Sequence, residues 1–159
     1  MIDDLASRAA MTAAAFLILA TGVSLLEMSD GNAVRDAAER LAIHLARQLD
    51  AIGTMDAEVV FRGGEAPLSL PPALAGSPYR VEVRRADVRV YSPGLLAAAP
   101  LRTHVHPFEP IREVYTAEEF EAMDASVLVV DPGHEFLVER TQRWILSAPT
   151  FLTFVYLPP

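Results

Sequence analysis

Apolar and polar residues change their spacing twice along this chain, and each change predicts a different kind of element. Ala9 to Leu26 (AAMTAAAFLILATGVSLL) has no charged side chain. As a helix it would rise about 27 Å, close to the hydrocarbon thickness of a bilayer. The run predicts an anchor helix over 1–28, Ala-rich and therefore of modest insertion free energy. Asp3 and Asp4 precede the only early base, Arg8, and the run continues past Ala20-Thr21-Gly22; both features argue against a cleaved secretory signal. Arg8 on one side, with Glu27 and Asp30 on the other, favours an inside N-terminus and an outside remainder.

After a polar patch at Glu27 to Asn32 the spacing becomes that of an amphipathic helix. Val34, Ala37, Ala38, Leu41, Leu45, Leu49 and Ile52 fall three or four apart, with Arg35, Asp36, Glu39, Arg40, Arg47 and Asp50 between them. Gly53 is a good residue to end it. The pattern predicts an amphipathic extension over 29–55, continuous with the anchor, its Leu41, Leu45 and Leu49 packed on a head and its Arg40, Arg47 and Asp50 facing water.

The spacing then shortens to that of strands. Asp56 to Arg62, Tyr79 to Val83, Val88 to Tyr91, Ser126 to Val130, His134 to Arg140 and Thr150 to Leu157 read as strands. YRVEV and VRVY form a hairpin that turns Arg80, Glu82, Arg84 and Arg89 to water. Ser126 to Val130 and His134 to Arg140 form another across Asp131-Pro132-Gly133. Thr116 with Glu119 makes a capping box for a short helix reaching about Asp124. Pro93, Pro100, Pro107 and Pro110 leave Ser92 to Ile111 as an irregular stretch. The fold class expected is α+β: a long N-terminal helix, membrane-spanning first and amphipathic second, on a small antiparallel sheet that forms a head over 56–159.

Composition narrows the partners. The net charge is −8, and all thirteen basic residues are Arg; an acidic chain with no basic stripe argues against nucleic acid and anionic headgroups. Cysteine is absent, which excludes a disulfide framework and thiolate metal sites.

Candidate chemistry is sparse. His104 and His106 alternate and would share one face of a strand, where Glu109 or Glu113 could join them as metal ligands. Two His beside prolines are more simply loop residues. Asp131, His134 and Glu135 could be drawn as an acid/base group, but Asp-Pro-Gly is explained by the turn. No phosphate-cradling Gly loop, HExxH, nucleophile elbow or EF-hand loop is present. His44 falls at the border of the apolar stripe. Ala6, Ala9, Ala10, Ala13, Ala14, Ala20 and Gly22 would allow close helix approach. No catalytic, cofactor-binding or metal-ligating residue is assigned, no cofactor is expected, and the chain reads as a non-enzyme.

The bipartite helix, VRDAAERLAIHLARQLDAI stripe and the segment LSLPPALAGSPYRVEVRRADVRVYS together resemble the archaeal type IV pilin-like proteins, over roughly residues 1–92. Those proteins carry a basic leader and usually an early acid in the mature helix; here the early acids are Asp3 and Asp4 and no basic leader is visible, so either a leader was removed upstream of Met1 or, more simply, this is an uncleaved relative that stays in the membrane. The resemblance implies a membrane-anchored structural subunit or accessory component of an archaeal surface filament, single-pass, with its head outside. Its partners would be membrane lipid and copies of itself or other pilin-like subunits through the N-terminal helix. The alternative is a monomeric anchored extracellular binding domain that holds a ligand with the Ser92 to Ile111 stretch.

Overall fold

The computed structural model describes residues 31–63, 68–145 and 148–159. The described part begins with a helix over 31–53 (α1). Eight strands and a second helix follow: β1 Val59–Arg62, β2 Arg80–Val83, β3 Asp87–Ser92, β4 Leu95–Pro100, β5 Val114–Tyr115, α2 Ala117–Asp124, β6 Leu128–Val130, β7 Leu137–Ile145 and β8 Ala148–Tyr156.

The strands form two four-stranded sheets. In one, β4, β3, β2 and β6 lie side by side and all antiparallel, with Val81 opposite both Val90 and Val130. In the other, β8 pairs along the whole of β7, while the opposite edge of β7 is shared: β1 takes Leu137 to Arg140 and the two residues of β5 take Trp144 and Ile145. The β5 pairing is parallel.

The expected fold class needs correction on two counts. The described helix has 23 residues, and no described helix is long and apolar enough to cross a membrane. Arg35, Asp36, Glu39, Arg40, Arg47 and Asp50 recur around α1 at every turn, so only a stripe of it can be desolvated. The span expected over 1–28 lies outside the described residues. The head, finally, is not one small antiparallel sheet but two sheets with one parallel pair.

Alpha-helix α1 buries the stripe expected of it. Ala38, Leu41, Ala42, Leu45, Ala46, Leu49 and Ile52 join Val81, Val83, Val88, Val90 and Val130 of the first sheet and Val138 and Val155 of the second in one core. Where Leu45 and Leu49 meet Val81, Val83, Val130 and Phe136 the remaining void is about 10 Å³, room for no more than one water. The alanines let the helix approach the sheets closely and the leucines fill the space between.

Four local expectations also change. The irregular stretch contains β4, because Pro93-Gly94 makes a two-residue turn with Gly94 at φ 71 and sets Leu95 opposite Ser92; a Pro followed by a left-handed Gly suits a type II turn. β6 and β7 do not pair with each other: β6 adds to β2 and β7 to the other sheet, so Asp131 to Gly133 carries the chain between sheets. Glu82 is buried, with Arg84 at 2.9 Å and Arg80 at 3.8 Å closing over it; flanking arginines supply the counter-charge that water was expected to give. Asp50 faces a turn and not open solvent, as described next.

Candidate functional site

The segment from Leu101 to Phe108 is short of regular structure but tied down at each step. Asp50, in the last turn of α1, accepts the amides of Arg102 at 2.8 Å and Thr103 at 2.9 Å through Oδ1, and the Thr103 hydroxyl at 3.0 Å. Gly53 lies so close to Thr103 that a Cβ there would overlap its side chain. Leu101 and Val105 donate their amides to Ala86 and Arg85 in the β2–β3 turn. His106 then docks on the free edge of β8, donating its amide to Thr153 and accepting that of Val155. The segment therefore bridges the two sheets.

His106 is consequently fixed and buried. Its ring packs at centroid distances of 4.7 Å from Phe120, 5.5 Å from Phe154 and 6.2 Å from Phe108. Its Nδ1 lies 2.7 Å from Oδ1 of Asp124, the last residue of α2, and Arg85 Nη1 reaches Oδ2 of the same carboxylate at 3.0 Å. A carboxylate at a helix C-terminus opposes the helix dipole, and α2 has no basic residue in its last turn; Arg85 and His106 supply the compensation from outside the helix. Burial lowers the His106 pKa, opposed by Asp124 and aided by Arg85 and His104. A neutral ring that donates from Nδ1 to the Asp124 carboxyl carries its proton there and leaves Nε2 as an acceptor.

A cavity of about 450 Å³ opens beside this pair, lined by Gly53, Arg85, Thr103, His104, His106, Phe120, Arg140, Phe151 and Leu152. Arg140 is held with its guanidinium over the Phe151 ring, 5.4 Å from the centroid. Nε donates to Met55 O at 3.0 Å and Nη1 to Phe151 O at 3.0 Å and Thr153 Oγ1 at 3.3 Å. Among the described residues no carboxylate comes within 4.0 Å of it. Burial lowers its pKa while Asp56 acts through space to raise it.

The other polar cluster is bonded largely within itself, with Arg143 Nε buried and without a hydrogen-bond partner among the described residues. Glu139 takes Arg143 at 3.2 Å and the Tyr156 hydroxyl at 2.8 Å, Arg143 also donates to Thr141 Oγ1 at 2.8 Å, and Thr141 donates to Glu58 at 2.9 Å. This network braces the outer side of β7 and lines no cavity described here.

Of the residues singled out in the sequence, His104 and His106 do reach one place: both line the cavity, His104 exposed and His106 buried. Glu109 and Glu113 are exposed and do not line it. Among the described residues no group of three or more His, Cys, Asp or Glu could hold a metal ion. Asp131, His134 and Glu135 sit on an exposed turn closed by the His134 amide on Asp131 O at 3.1 Å. His44 is on the exposed side of α1. Asp124, Arg85 and Arg140 carried no sequence signal as site residues, because their spacing from His106 is set by three different elements. No known protein family, curated protein or solved structure matches the chain.

Proposed function

We propose that this chain is a non-enzymatic, pilin-like structural subunit or accessory component of an archaeal surface assembly, held at the cell membrane by its apolar N-terminal run with the two-sheet head outside. The observation that carries this reading is the division of α1. One stripe is consumed by the head, while Arg35, Asp36, Glu39, Arg40, Ile43 and Arg47 stay exposed along the other side. A helix that is half core and half free surface can hold a head and still meet a neighbouring subunit. Fractionation of cells, with protease added from outside, tests it. The protein should sediment with membranes and be cut after Leu26, and charge reversal at Arg40 and Arg47 should abolish higher assembly while the head stays folded. A freely soluble protein, or a head protected from protease in intact cells, overturns the reading.

A second reading, the monomeric anchored binding domain, draws support from the cavity beside His106, to which the stretch between Ser92 and Ile111 contributes Thr103, His104 and His106. Its mark is a detergent-solubilised chain that stays monomeric.

A further inference from the structure

The cavity beside His106 has a definite hydrogen-bonding character. Arg140 spends Nε and Nη1 on the backbone and Thr153, and its Nη2 makes no hydrogen bond to a described residue. Its charge is fixed in place and unmatched at ion-pair distance, whereas that of Arg85 is matched by Asp124 at 3.0 Å. The cavity thus offers one positive charge with no carboxylate at ion-pair distance, offset only through space by Asp56 and suited to a monoanion more than to a doubly charged phosphate. On the other side, His106 Nδ1 is committed to Asp124. Its Nε2 has no partner among the described residues, nor is it one of the sealed, unpartnered atoms of the interior. With the proton on Nδ1 it is an acceptor and calls for a donor from the ligand. Phe120, Phe151 and Leu152 supply apolar walls, and about 450 Å³ is within the range of small-molecule sites.

We propose that this cavity binds a hydroxylated organic acid of the sugar-acid class, its carboxylate on Arg140 Nη2, a hydroxyl donating to His106 Nε2, and its C–H face against Phe151 and Phe120. The inference rests on the binding reading, whose own test is oligomeric state, so a failure of the one is told apart from a failure of the other. The same chemistry is presented by a free sugar acid and by one within a carbohydrate chain.

The experiment is a titration of the full-length chain in detergent, followed by amide chemical shifts, with glucuronate, glucose, acetate and inorganic phosphate. Glucuronate should produce saturable shifts centred on Thr103, His104, His106 and Phe151 and bind at least about tenfold more tightly than glucose or acetate, the factor one good added polar contact supplies. Arg140→Gln should reduce glucuronate to the level of glucose. Because Arg140 also holds Met55 and Phe151, Phe151→Leu is the second variant, expected to weaken glucuronate and glucose together and leave acetate unchanged. A glucuronate-containing disaccharide tighter than the free acid assigns the carbohydrate chain as the source, and the reverse assigns the free acid. No saturable shift, shifts centred elsewhere, phosphate binding tightest, or glucuronate binding indifferent to both variants overturns the proposal.

Discussion

Thr103 gives Asp50 both its amide and its hydroxyl, at 2.9 and 3.0 Å, and so the end of α1 and the approach to the cavity move as one piece. Asp50 also takes the Arg102 amide. Replacing it by Ala leaves these donors without their charged acceptor and should cost about 2 kcal/mol, the scale of hydrogen bonds to charged groups. Arg40→Ala, which loses only an exposed pair with Asp36 at 3.8 Å, should stay within about 0.5 kcal/mol. Urea denaturation of the two variants checks the contrast.

Gly53 should reverse the usual helix rule. Gly to Ala in a helix ordinarily stabilises by up to about 1 kcal/mol, but a Cβ at Gly53 would overlap Thr103 Oγ1 and Cβ. Gly53→Ala is expected to lower the melting temperature. Thr103→Gly in the same chain should restore part of the loss, a non-additivity that a double-mutant cycle measures.

The packing of α1 on the sheets is open to direct test. Leu45 and Leu49 are 3% and 2% exposed, and each change to Ala should cost about 2 to 5 kcal/mol. The pair together should leave the head protease-sensitive, since total stability of a small domain is about 5 to 15 kcal/mol. Unchanged denaturation midpoints would mean that the helix does not dock.

Acid should weaken the fold first at His106. Its ordinary value is 6.5 and burial lowers it in the folded state. Between those two pH values the unfolded chain therefore binds more protons than the folded one, and stability rises with pH. Acidification from 7.5 should reduce the urea midpoint as pH drops through 6.5 toward the lowered value, and no further below it on this account. His106→Gln should flatten that slope. An unchanged slope would place the titration elsewhere.

Local chemistry was legible and long-range partnership was not. The α1 stripe, the β2–β3 hairpin and the Thr116 to Glu119 box each depend on residues a few positions apart, and each is found close to where the spacing puts it. β4 leaves little trace in the sequence because Ala97 and Ala99, its buried residues, carry little strand signal, and the prolines on either side mask the Pro93-Gly94 turn. Glu82 and Asp50 read as surface because alternation and helical spacing assign faces but not the arginines or amides that arrive from elsewhere. The site was half legible: His104 and His106 stood out, while Asp124 meets His106 across 18 residues and Arg140 comes from β7, one strand in from the β8 edge on which His106 docks.

The shared edge of β7 has a consequence for synthesis. β1, at Val59–Arg62, pairs with Leu137 to Arg140, so a strand made early waits for one made much later. Closing so long a loop is slow, and until it happens α1 has only the first sheet to cover its leucines. The nascent chain should therefore pass through a stage with a completed four-stranded sheet and a helix stripe covered on one side only, a stage open to capture by chaperones or by the wrong neighbour. Emergence of Ala148 to Tyr156, which lets β8 join β7, ends it.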